Sequence, residues 1–217
     1  KFLSETLGGD GLFCILALKP TTNSRVQKFY NSVDDLIESS LDYDAQGYDT
    51  YFALSTFEDN TSRKSDNVCQ LKSFFLDLDC GDNKDFGTQG EAVTQLKAFC
   101  RKLSLPKPTI INSGRGIHVY WKLEESIGID DWLPVAERLK KLCNLHGLRA
   151  DPAVTSDASR VLRIPDTCNY KTDPPIEVKI LAHSKAVDFD YFSELLGGEP
   201  IPAPEKIDNT TAFLDAI

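Results

Sequence analysis

The chain of 217 residues has no methionine, three histidines and two tryptophans. No apolar run approaches the roughly 20 residues a helical membrane span needs, so a soluble, non-membrane protein is expected. It does not open on methionine and shows no secretory signal pattern, and a trimmed chain is the expectation. Its six cysteines (Cys14, Cys69, Cys80, Cys100, Cys143, Cys168) include no C-x-x-C pair, so nothing points to a zinc cluster and no zinc is expected. Several lie among apolar residues, where a free thiol acts as a small hydrophobe; a reduced, cytoplasmic setting follows. No G-K-[ST] phosphate-loop signature is present.

Basic charge is also scarce. The net charge of −9 argues against a protein that simply coats nucleic acid. The imbalance is uneven, however. Residues 1–60 hold ten acids against four bases, whereas residues 97–122 hold six bases and no acid. A solvated helix face would explain Lys97, Arg101 and Lys102 equally well.

What is present reads as alternating strands and helices. Strands are expected at 11–18, 50–57, 71–79, 107–112, 117–123, 159–165 and 175–181. Helices are expected at 31–46 with Ser32 as N-cap, at 88–104 behind a Thr88/Glu91 capping box, at 130–147 ending on Gly147, and near 188–196. Residues 198–217, "GEPIPAPEKIDNTTAFLDAI", start Pro-rich and read as a linker. The fold class is α/β or α+β.

Three clusters carry chemistry. In "FFLDLDC" strand alternation puts Phe75, Asp77 and Asp79 on one face, with the two acids' Cα atoms roughly 6.5 Å apart. Like carboxylates so placed repel unless a cation lies between them, and hard oxygen ligands suit Mg²⁺ or Mn²⁺. The plainer reading is a strand running into an acidic turn.

The second cluster is "IINSGRGIHVYW". The amides around Gly114 and Gly116, with Arg115 and the Ser113 hydroxyl, can form an anion-binding concavity. Alternation in the outgoing strand sends His118, Tyr120 and Lys122 away from the core toward a polar surface. A tight hairpin turn needing glycine for positive φ is the alternative.

The third cluster runs from Arg149 to Lys171. In an extended "SRVLRIP", Arg160 and Arg163 fall on opposite sides and cannot share a ligand unless the strand twists or bulges. Asn169 and Lys171 add donors. Asp151 and Asp157 are both candidates for a third carboxylate, against the ordinary use of Asp in turns and caps.

In this order the clusters resemble the archaeo-eukaryotic primase superfamily, in particular the primase-polymerase-like proteins of phages and plasmids. Asp77-Leu78-Asp79 matches its acidic motif, Ser113 through His118 its Ser-x-His-type motif, and Asp151 its third acid. Arg163-Ile164-Pro165-Asp166-Thr167-Cys168-Asn169-Tyr170-Lys171 matches a further phrase, with Asp166 where glycine is usual. The resemblance spans about residues 50–181 and lacks any cysteine–histidine zinc knuckle.

The resemblance implies an α+β fold, an RRM-like catalytic lobe with a smaller α/β lobe and a cleft between them, in a catalytic domain over 1–197. It implies template-directed nucleotidyl transfer in DNA replication, with two divalent ions held by Asp77, Asp79 and Asp151. Ser113, Gly114, Arg115, Gly116 and His118 would cradle the incoming triphosphate, and Arg160, Arg163, Asn169 and Lys171 would support its charge. His118 would donate a hydrogen bond and have no general-base role. The implied partners are a single-stranded DNA template, nucleoside triphosphates and a helicase or accessory domain beyond residue 217. Two other readings stand beside it. One is a metal-dependent nuclease or nicking initiator. The other is a non-catalytic RRM-type binder stacking bases on Phe74, Phe75, Tyr120 and Trp121.

Overall fold

In the computed structural model, residues 1–197 are described. The first half runs α1 (Phe2–Thr6), β1 (Phe13–Lys19), β2 (Ser24–Tyr30), α2 (Val33–Ala45), β3 (Asp49–Ala53), β4 (Ser55–Phe57), β5 (Val68–Leu78) and α3 (Gln89–Lys102). The second half runs β6 (Thr109–Asn112), β7 (Ile117–Gly128), α4 (Ile129–Leu145), α5 (Pro152–Thr155), β8 (Val161–Arg163), β9 (Cys168–Asn169), β10 (Ile176–Glu177), β11 (Lys179–Ala182) and α6 (Phe189–Gly197). The expected linker at 198–217 lies outside the described residues.

The expected caps form. Ser32 Oγ accepts the Asp35 amide at 3.1 Å and Thr88 Oγ1 accepts that of Glu91 at 3.2 Å, satisfying donors that the first turn leaves open. Several expected strands are cut. The run over 50–57 breaks at Leu54, so β3 joins a four-stranded sheet of order β2-β1-β3-β8 while β4 joins a five-stranded sheet of order β11-β6-β7-β5-β4. The expected strand 159–165 shortens to β8, and 175–181 divides into β10 and β11. Strand β2 was not anticipated because "SRVQKFY" is largely exposed and shows no apolar alternation. Its partner β1 is the apolar strand of that hairpin.

All ladders within the two sheets are antiparallel, giving a mixed α+β architecture. The two sheets share one continuous core. On one face of the five-stranded sheet, Phe74 stacks on Trp132 of α4 at 5.8 Å and on Phe192 of α6 at 5.0 Å. On the other, Phe2 of α1 meets Tyr120 at 5.2 Å and Phe52 of the four-stranded sheet at 6.0 Å. This second contact corrects the expectation that Tyr120 and Lys122 face a polar surface, while His118, farther along the same face, opens on a polar cleft. All three are buried, and Lys122 is ion-paired with Glu5 of α1. A central strand between two covering layers has no solvent face, so residue type alone misassigned that side. No helix among the described residues is long and apolar enough to cross a membrane.

Candidate active site

Strand β5 delivers its acids where the sheet ends. Asp77 pairs in register with His118 of β7, and the imidazole Nε2 lies 3.9 Å from Asp77 Oδ1. Burial first, and then the Asp79 and Asp151 carboxylates, push the Asp77 carboxyl up to about 7, with Arg160 and Lys84 opposing the rise. Asp79, one residue past the strand, is half-exposed and ion-paired with Lys84 Nζ at 2.9 Å.

Between the two candidates for a third acid, the fold brings Asp151 to the pair. Its amide donates to Asp77 O at 3.0 Å, while its own carboxylate caps α5 through the Ala153 amide at 2.8 Å. Arg160 Nη2 is 3.9 Å from the same carboxylate. Asp157 instead closes a local turn, accepting the Ser159 amide at 2.9 Å and its hydroxyl at 2.7 Å. Among the described residues no three His, Cys, Asp or Glu side chains converge into a ready-made metal cage. The donor set nevertheless suits a hard divalent ion. Asp77 is a partly buried carboxylate in the cleft wall with a second carboxylate, Asp79, two residues on, and Mg²⁺ is commonly held by one or two carboxylates with substrate phosphates completing its shell.

The glycine loop has a different internal logic from the expected one. The Gly114 amide donates to Asn112 Oδ1 at 2.8 Å and the Gly116 amide to Ser113 Oγ at 3.2 Å, so neither forms an open anion cradle. The glycines are required by space. A Cβ on Gly116 would lie 2.5 Å from Leu78 O, and one on Gly114, at φ +97°, 2.7 Å from Asn169 Nδ2. Their absence of side chains lets the loop press against the strand end that carries the acids. Ser113, Arg115 and His118 then face the cleft.

His118 Nδ1 is buried and has no hydrogen-bond partner among the described residues. Burial, followed by the charges of Arg163 and Arg160, pulls the imidazole down to about 3. The ring is therefore neutral near pH 7 and offers one N–H donor.

The two arginines share the cleft, contrary to the strand-alternation expectation. Arg160 precedes β8 in a turn, its amide donating to Asp157 O at 3.0 Å, so the pleat does not set its direction. Arg163 is held by a residue that sequence reading missed. Its Nη1 and Nη2 meet Asp49 Oδ1 and Oδ2 at 2.8 and 3.2 Å, and its guanidinium lies 4.7 Å from the centre of the Tyr51 ring. Asp49 also accepts the Tyr170 amide at 2.7 Å. Asn169 is a tie as well: Nδ2 donates to Ser113 O at 3.0 Å and Oδ1 accepts the Lys171 amide at 3.1 Å. Asp166 has φ +66°, the left-handed conformation that glycine would adopt there and Asp tolerates.

The result is a cleft of about 190 Å³ between the two sheets. Tyr51 and Arg163 come from the four-stranded sheet, Asp77 and His118 from the five-stranded one, and Arg160 and Lys171 from the segments around β8 and β9. Gly114 and Asp151 are not among its lining residues. Asp49, Tyr51 and Lys84 were not anticipated; no spacing in the sequence links any of them to the three motifs. Phe74, Phe75, Tyr120 and Trp121 are wholly buried, which removes the base-stacking platform that an RRM-type binder would need.

No protein-family model matches the chain. A replication protein of Clostridium perfringens is 29% identical over 140 residues, which is 63% of this chain and 33% of that protein. The chain thus spans about a third of the length of the curated relative it matches. Among solved structures, the AEP domain of the cyanophage S-2L primase-polymerase superposes with a TM-score of 0.62 at 17% identity, covering 86% of this chain and 89% of that one. The catalytic domain of primase RepB′, in complex with initiator DNA, superposes with a TM-score of 0.56 at 16% identity, covering 86% of each chain. At these identities the likeness is one of fold, and the fold is that of archaeo-eukaryotic primases.

Proposed function

We propose, from the archaeo-eukaryotic primase fold this chain adopts, that it is the catalytic domain of a primase-polymerase and performs template-directed nucleotidyl transfer in DNA replication. The observation that carries this reading is the convergence of Asp77 and Asp79 with Arg115, Arg160 and Lys171 in one cleft between the sheets. Carboxylates alone would repel a nucleotide, and cations alone would bind it without chemistry.

Asp77, Asp79 and Asp151 would hold two divalent ions, Mg²⁺ or Mn²⁺, which when bound supply Lewis acidity for activating a primer 3′-hydroxyl and orienting a triphosphate. The remaining groups act on the phosphates directly. Arg115, Arg160 and Lys171 present charge toward the chain of phosphates, and the Ser113 hydroxyl and neutral His118 N–H add hydrogen bonds. Arg163, clamped by Asp49, fixes positive charge in the wall where charge builds on the leaving pyrophosphate. The proposed partners are a single-stranded DNA template, nucleoside triphosphates and a helicase or priming accessory domain.

A gel assay tests this. The protein is incubated with single-stranded template, Mg²⁺ or Mn²⁺ and labelled nucleotides, with and without primer, beside Asp77→Asn. Products that need both the metal and Asp77 are expected, and primer-free products would identify a primase. Shortened template without extension would replace this reading with a nuclease.

A further inference from the structure

The basic stretch at residues 97–122 is only partly used by the cleft. Arg115 lines the cleft, but Lys97, Arg101 and Lys107 surround a separate groove of about 440 Å³ between α3, β6 and the end of β11. Its floor is aliphatic, formed by Leu96, Cys100, Leu105 and Ile110. The three cations at its rim are exposed, and among the described residues none has an ion-pair partner. An apolar floor ringed by unpaired positive charge suits an aliphatic anchor flanked by carboxylates. It does not suit single-stranded nucleic acid, whose bases need aromatic faces, and no aromatic side chain lines the groove.

The chain itself displays the complementary surface. On α2, Asp34, Glu38, Leu41, Asp42 and Ala45 recur at helical spacing on the exposed side, and Leu41 is 48% exposed. Asp34, Glu38 and Asp42 also lack ion-pair partners among the described residues. Leu36 and Ser40 are buried and fix α2 against the four-stranded sheet, and none of the groove's wall comes from α2. A donor α2 must therefore come from another molecule.

We propose that the groove beside α3 is a docking site for α2 of a second copy of this chain, with Leu41 seated on the aliphatic floor and Glu38 and Asp42 against Lys97 and Arg101. The two surfaces are different patches, so the contact is head-to-tail and extends into a ring or an open array. Its charged rim makes it sensitive to ionic strength.

Sedimentation of the full chain over a concentration series tests the contact. At about 50 mM salt the average mass rises above that of a monomer with concentration, and the rise disappears near 0.5 M salt, where charges are screened within a few ångströms. Lys97→Glu/Arg101→Glu and Glu38→Lys/Asp42→Lys, all at exposed positions, each abolish the rise alone. Mixing the two variants restores association, because each then offers the charge its partner needs. A monomer mass at every concentration and salt would overturn the proposal, as would association that either pair of substitutions leaves intact. Binding of an oligothymidylate that is lost in the Lys97/Arg101 variant, without self-association of the parent, would reassign the groove to nucleic acid.

Discussion

Asp49 and Arg163, 114 positions apart, meet in a two-pronged ion pair at 2.8 and 3.2 Å with almost no exposure of either side chain. The pair joins β3 to β8 and holds a positive charge in the wall of the cleft. Asp49→Ala would leave the guanidinium buried and unpaired, at an expected cost of about 3–5 kcal/mol in urea unfolding. Replacing both partners, Asp49→Asn with Arg163→Met, keeps an acceptor for the Tyr170 amide and should recover much of that stability while nucleotide binding stays weak. Equal instability of the single and double variants would show that the pair is not the source of the loss.

Gly116→Ala places a methyl group 2.5 Å from a backbone oxygen of Leu78, which cannot rotate away. The expected result is a loss of about 1–3 kcal/mol in stability, as for other overpacked sites. Displacing the loop from the acids by about 1 Å should also lower turnover by roughly 10²-fold. Gly90→Ala serves as the control, because a Cβ there finds nothing closer than 3.8 Å. It should stabilise α3 by about 0.5–1 kcal/mol and leave turnover unchanged.

Asp166 occupies the left-handed region at φ +66°. Asp166→Gly should leave the melting free energy within about 1 kcal/mol of the parent, since relief of backbone strain offsets the entropy of glycine. Asp166→Val removes the tolerance of a short polar side chain and should destabilise by about 1–2 kcal/mol. Thermal unfolding of the two variants makes the comparison directly.

The raised Asp77 carboxyl gives a pH signature in metal-free protein. Folded Asp77 keeps its proton up to about 7, whereas the unfolded side chain releases it near 3.8. The native state therefore binds more protons between these values, and the Asp77 contribution to stability falls as pH rises from about 4 to about 7. Denaturation series with and without Asp77→Asn should differ in slope across that window. Added Mg²⁺ should flatten the parent's slope by favouring the carboxylate. Parallel slopes for the two proteins would mean that Asp77 titrates normally.

Much of the candidate site was legible because its signals are local. Alternation along "FFLDLD" placed Asp77 and Asp79 together, and the Ser32 and Thr88 caps followed from short spacings. The same alternation misled where its premise failed. It sent Tyr120 and Lys122 to a polar surface because nothing nearby in the chain reveals that α1 covers that face. It separated Arg160 from Arg163 because a turn, not a strand, carries the first.

By itself the sequence determined the longer helices and apolar strands, the three motifs and the reach of the acids along one strand. All of these depend on residues within a few positions of one another. Only the tertiary structure decided that Asp151 rather than Asp157 stands at Asp77, that Asp49 clamps Arg163, and that Asn169 ties the glycine loop in place. Those three hydrogen-bonded contacts join residues 56 to 114 positions apart. A pairing over such distances is set by how two sheets share one core, and no local periodicity records it.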